Sequence, residues 1–122
     1  MGVKTVAVIG ASTDRRKFGN KAVRAFLRGG YRVVPITPSA VEVEGLKAYP
    51  SVADVPGPVD MATFYVPPSI GLRVIEEVAG KGILEVWFNP GSEDAALVER
   101  ARALGLVTNV GCSIIAIGER PI

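Results

Sequence analysis

Apolar runs and helical stripes alternate along this chain. Thr5-Val6-Ala7-Val8-Ile9 is an unbroken apolar run stopped at Gly10, the pattern of a strand buried on both faces. From Phe18 to Leu27 the spacing turns helical, which puts Phe18, Ala22 and Phe26 on one face and leaves Gly29-Gly30 as the stop. Arg32-Val33-Val34-Pro35-Ile36 reads as a second strand. A polar loop follows, with a short element expected near Tyr49 and a turn at Pro56-Gly57-Pro58. Val59 to Val66 predicts another strand, and Pro67-Pro68 opens a helix running to about Gly80, since proline is tolerated in a first turn. Ile83 to Phe88 is a further strand, and Asn89-Pro90-Gly91 is the turn after it. Ser92 is expected to cap a helix with Glu93 and Asp94 in its first turn, the favourable sign for the dipole. That helix should end at Gly105, and Leu106 to Val110 is the last clear strand.

This alternation with short connections predicts an α/β fold. The expected architecture is a Rossmann-like, doubly wound, mostly parallel sheet with helices on both faces, in a single domain over residues 1–122. Such sheets take ligands beyond the carboxyl ends of their strands, at the switch point. The loops that matter are therefore Gly10 to Lys17, Thr37 to Gly45, Val66 to Ser69, Asn89 to Ser92 and Asn109 to Ser113.

Composition narrows the chemistry. The 122 residues are 48% hydrophobic and 21% charged, and the one cysteine, Cys112, excludes an internal disulfide and suits a reducing compartment. No run approaches the roughly 18 apolar residues of a membrane span, and the apolar start is too short for a signal peptide, so a soluble cytoplasmic domain with no membrane association is expected. Histidine is absent, which removes Ser-His-Asp and Cys-His nucleophiles and imidazole metal sites. No catalytic residue and no metal ligand is assigned, and an enzyme is the less favoured reading. Glutamine is absent too, and Arg outnumbers Lys, a bias shared with heat-adapted proteins. The net charge of +2 hides an asymmetry: residues 1–41 carry eight basic residues against Asp14 alone, and residues 42–122 carry six against eleven acids. A basic end of this kind points to an anionic partner.

The first strand–helix turn, Gly10-Ala11-Ser12-Thr13-Asp14-Arg15-Arg16-Lys17-Phe18-Gly19, joins a small residue, two hydroxyls, a helix N-terminus and three cations. That combination suits a phosphate. It is not a dinucleotide fingerprint, because Ser12 and Arg15 stand where G-x-G-x-x-G needs glycine, and strand two ends Ile36-Thr37-Pro38 without a ribose-binding acid. No Walker A motif occurs. NAD is disfavoured; NADP, as in a small oxidoreductase, stays open. Lys17, Lys21, Arg24 and Arg28 form one helical stripe, read as a solvated face except at Lys17, and the few aromatics argue against nucleic acid. Tyr65-Val66-Pro67-Pro68 is either an apolar slot for a flat base or a plain strand–helix turn. Cys112, without a histidine partner, is expected as a small buried residue.

Gly10-Ala11-Ser12 after strand one, a strand ending Thr37-Pro38, Tyr49-Pro50-Ser51, Val59-Asp60, Tyr65-Val66-Pro67-Pro68 and the late Asn109 to Cys112 together resemble the CoA-binding domain family over residues 4–117. That family includes small stand-alone bacterial proteins and the first domain of the succinyl-CoA synthetase alpha subunit and of ADP-forming acyl-CoA synthetases. The resemblance implies coenzyme A, or an acyl-CoA, bound at the strand carboxyl ends. Gly10, Ser12 and Thr13 would hold the diphosphate, with Ala11 among the cofactor-binding residues and Arg16 and Lys17 near the phosphates. Thr37 and Pro38 would border the nucleotide, Val66 and Pro67 would pack on the adenine side with Tyr65 and Pro68 also among the cofactor-binding residues, and Asn89-Pro90 would lie toward the pantetheine. The synthetases use a phosphorylated histidine on a second domain, and this sequence has neither. The implied function is non-catalytic CoA binding; the alternative is the CoA-binding half of a split synthetase, with a protein partner or a homo-oligomer both open.

Overall fold

The structure, a computed structural model, describes residues 2–122. In chain order, strand β1 (Thr5–Ile9) is followed by helix α1 (Phe18–Arg28), strand β2 (Arg32–Ile36), and the two-residue strands β3 (Glu42–Val43) and β4 (Leu46–Lys47). A 3-10 turn at Val52–Asp54 precedes β5 (Met61–Phe64), α2 (Pro68–Gly80), β6 (Glu85–Phe88), α3 (Ala95–Ala103), β7 (Val107–Val110) and the short α4 (Ser113–Ala116).

Five strands form one sheet in the order β2-β1-β5-β6-β7, every neighbouring pair parallel. After β1 the chain steps outward to β2, then returns to the other side of β1 and steps the opposite way through β5, β6 and β7. Right-handed crossovers on those two paths must put their helices on opposite faces. Residues of β1 divide accordingly: Val6 and Val8 pack with Ala22, Val23 and Phe26 of α1 and Ile114 of α4, while Ala7 and Ile9 pack with Ile75 and Val78 of α2 and Leu97 of α3. The reversal leaves a crevice between the ends of β1 and β5, the switch point where such sheets take ligands.

The expected doubly wound sheet is the observed one, with four local corrections. The strand expected from Val59 begins at Met61, because the Asp60 carboxylate accepts from the Thr5 backbone before the ladder starts. Ser92 does not cap α3. Asp94 does, its carboxylate accepting from the backbones of Ala96 and Leu97, while the Ser92 N–H closes the preceding turn onto the Asn89 carbonyl. The polar loop after β2 holds a hairpin, β3–β4, whose turn residues Glu44 and Gly45 both take positive φ (50° and 76°), the geometry of a tight two-residue hairpin turn. Phe18, expected on one face with Ala22 and Phe26, is 51% exposed while those two are buried. The sheet instead meets Gly19, Ala22, Val23 and Phe26, since a side chain at 19 would come within 2.1 Å of the Gly10 carbonyl oxygen.

A candidate cleft at the strand carboxyl ends

The ends of β1, β2, β5, β6 and β7 open into a cleft of about 780 Å³. Of the residues the sequence singled out, Gly10, Ala11, Ser12, Lys17, Thr37, Pro38, Tyr65, Val66, Pro67, Asn89 and Pro90 line it together. Thr13, Arg16 and Pro68 do not. Thr13 is exposed on the loop, Pro68 opens α2 behind the turn, and the Arg16 guanidinium forks onto Asp14, with Nε and Nη2 each 3.0 Å from a carboxylate oxygen. That fork and the Arg16 backbone N–H hold the Asp14 carboxyl down at about 2 and raise the guanidinium further. The loop contact is therefore present above the usual carboxylate range and is lost only as pH falls toward 2.

The loop after β1 is shaped by two close approaches. Gly10 has φ 90°, and a side chain there would meet the Tyr65 carbonyl oxygen at 2.6 Å. Gly19 lets α1 sit directly on the Gly10 carbonyl. Buried Asn20 then ties the loop down, its Nδ2 donating to the Ser12 carbonyl (2.9 Å) and to Glu44 (3.0 Å), while its Oδ1 accepts from Arg24. The Ser12 hydroxyl accepts from the Asp14 backbone and keeps its own proton free to donate. Lys17, the N-cap residue of α1, makes no side-chain cap, so the first-turn amides are left without a side-chain acceptor. Lys17 is also the one charged residue lining the cleft among the described residues. A cation, helix amides and the Ser12 hydroxyl thus converge at the β1 end, a set of groups suited to an anion.

Toward β6 and β7 the floor is a closed polar network. Asn89 donates from Nδ2 to Thr63 Oγ1 (2.7 Å) and to the Phe64 carbonyl (2.9 Å), and its Oδ1 accepts from the Ser113 backbone (2.9 Å) and hydroxyl (3.1 Å). With Thr63 Oγ1 accepting from Asn89, its proton goes to Ser113 Oγ at 2.7 Å, and the Tyr65 hydroxyl donates to the same oxygen at 3.1 Å. Burial pushes the Tyr65 phenol up to about 12; hydrogen bonding with Ser113 and Thr63 opposes this only in part. The network ties the ends of β5 and β6 to the start of α4, and its groups are satisfied by one another rather than held out for a ligand.

Sequence reasoning missed Phe18, Ser39, Gly91, Ser92, Ile115 and Pro121, which also line the cleft. Ser39, Gly91 and Ser92 fall within loops it had marked and Phe18 stands in the first strand–helix turn, whereas Ile115 and Pro121 carry no motif. Cys112, expected to be buried, is half-buried and lines the cleft, because the next residue, Ser113, takes the buried place. Among the described residues, no three His, Cys, Asp or Glu side chains gather where they could hold a metal, and no helix is long and apolar enough to cross a membrane.

Comparison with known proteins gives this cleft a context. Residues 4–117 match the family described as "CoA binding domain". ADP-forming acetate–CoA ligase II of Archaeoglobus fulgidus is 43% identical over 118 residues, covering 91% of this chain and 17% of the ligase. The apo structure of acetyl-coenzyme A synthetase 1 from Ca. Korarchaeum cryptofilum superposes with a TM-score of 0.75 at 36% identity, over 86% of this chain and 25% of that one. A conserved hypothetical protein of Pyrococcus furiosus superposes with a TM-score of 0.84 at 32% identity, over 94% of this chain and 99% of its own. The chain thus spans a quarter or less of the ligase and the synthetase, but nearly all of the small Pyrococcus protein. By sequence match and by fold, this chain belongs to the CoA-binding domain family.

Proposed function

We propose that this chain binds coenzyme A or an acyl-CoA in the cleft and catalyses no reaction by itself. The observation that carries the reading is the convergence at the end of β1 of Lys17, the α1 amides and the Ser12 hydroxyl over a loop with no side chain at Gly10. The diphosphate lies there. The nucleotide extends between Thr37-Pro38 and Val66-Pro67, and the pantetheine runs past Asn89-Pro90 toward Cys112. Thr13, exposed on the loop, and Arg16, forked onto Asp14, are assigned no contact with the ligand. Such a module can buffer the cofactor, or lend its bound form to a partner subunit. The partner reading is supported by relatives that are parts of much longer ligases. The single free cysteine and the absence of histidine suit a cytoplasmic binding module rather than a nucleophilic enzyme.

Lys17→Glu tests the assignment against Lys4→Glu, which changes net charge equally at the opposite end of β1. The charge reversal at 17 is expected to weaken CoA by about 1.5–3 kcal/mol, the loss of a charge-assisted contact. The change at 4 should cost far less. Equal losses in a binding titration would mean that general electrostatics, and not this loop, attracts the ligand.

A further inference from the structure

The two edges of the sheet are finished differently. Along β2, Pro35 has no N–H to offer, its carbonyl accepts from the Tyr49 backbone, and the Tyr49 carbonyl accepts from Thr37, so that edge is covered. At the other edge β7 pairs only with β6. Leu106-Val107-Thr108-Asn109-Val110 carries no charge and no proline, and Val107 and Val110 are 61% and 58% exposed. The Val107 and Gly111 N–H groups donate inward, to the Leu84 and Phe88 carbonyls. Alternation along the strand therefore turns the N–H and C=O of Thr108 and Val110 outward, where no described residue bonds them.

An open edge of this kind accepts another strand, and α3 indicates which one. Arg102 Nε stands 3.3 Å from Thr108 Oγ1, so the flank of α3 that carries Arg102 lies at the β7 edge, whereas Arg100 is taken up by Glu76 of α2. Helical spacing puts Ala95 and Val98 on the Arg102 flank. The helix is acidic at its start, with Glu93 and Asp94, and basic at its end, with Arg102. A copy of the same helix laid antiparallel beside it sets acid against base at both ends. We propose that β7 pairs antiparallel with β7 of a second copy of this chain, about a two-fold axis at Asn109. The sheet then runs continuously through both copies, with the two α3 helices side by side on one face. In this register Thr108 of each copy exchanges both backbone bonds with Val110 of the other, which satisfies the outward groups. Val110 gains cover from Thr108 across the axis, and Arg102 lies toward Glu93 and Asp94 of the other copy.

Sedimentation equilibrium of the full chain, from micromolar to millimolar concentration, should give twice the chain mass. Thr108→Pro removes an outward N–H at an edge where proline is tolerated, and should weaken the dimer by about ten- to a hundredfold. Arg102→Glu should weaken it as well, and adding Glu93→Arg should restore part of the loss. In a Cys112→Ser background, Asn109→Cys faces its own copy across the axis and should form an intermolecular disulfide with oxidised glutathione. Val107→Cys, opposite Gly111 of the other copy, should not. Circular dichroism melts check that each variant is folded, and if Thr108→Pro is not, the two cysteine variants decide alone. A monomer at every concentration, a dimer that survives Thr108→Pro, or crosslinking at 107 and not at 109 would overturn the proposal. None of these results bears on CoA binding in the cleft.

Discussion

Asn89 places all its polar atoms on protein neighbours: Thr63, the Phe64 carbonyl and both donors of Ser113. Asn89→Ala would leave those buried groups unpaired, at about 1–3 kcal/mol for each that water cannot reach, and the denaturation midpoint should fall accordingly. Tyr65→Phe removes one donor from the rim of the same network and should cost less. Tyr65 also sets a pH dependence. Its folded phenol titrates at about 12, above the usual 10, so the folded state holds its proton more tightly. Stability should be unaffected by this group below pH 10 and decline as pH rises from 10 toward 12, a decline that Tyr65→Phe abolishes in thermal melts. The sequence marked Asn89 and Tyr65 as cleft residues from their turns alone. It could not show that they share a partner in Ser113, because that contact joins positions 48 and 24 residues apart.

At the scale of elements, the fit of α1 on β1 shapes the loop after β1, and beside the apolar contacts of Ala22, Val23 and Phe26 it needs a glycine at the closest approach. Gly19→Ala would drive a methyl into the Gly10 carbonyl, and overpacking of this kind costs about 1–3 kcal/mol or more. Gly80, the last residue of α2, has open space around it, so Gly80→Ala should stabilise by about 0.4–1 kcal/mol. Opposite shifts in melting temperature for these two glycine-to-alanine changes would confirm that α1 is seated by contact and not by propensity; shifts of the same sign would contradict it. Amphipathic spacing placed α1 within a residue of its observed ends but grouped Phe18 with Ala22 and Phe26, which are buried where it is exposed. Periodicity reports which residues are apolar, whereas the rotation of the helix is set by a backbone approach that only Gly19 permits. For similar reasons α4 and the β3–β4 hairpin went unseen: four residues and two pairs give too short a pattern, and Glu44 is held by Asn20 and Arg15 across the chain.

Across the whole molecule, the basic excess of residues 1–41 is less free than its sum implies. Arg15 pairs with Glu44, Arg16 with Asp14 and Arg28 with Glu119, while Arg24 donates to Asn20 and to the Arg15 carbonyl. These exposed pairs contribute little stability each, but they organise the loop, the hairpin and the segment bearing Pro121 around the cleft. The fold itself was legible because a parallel sheet buried on both faces writes its strands as apolar runs and its crossovers as helices. The most direct test of CoA binding is a calorimetric titration of the full chain with CoA, NADP and ATP at identical salt. Micromolar binding of CoA, with NADP and ATP at least tenfold weaker, is the predicted result. Tighter binding of NADP, or no heat with any of the three at millimolar ligand, would contradict it.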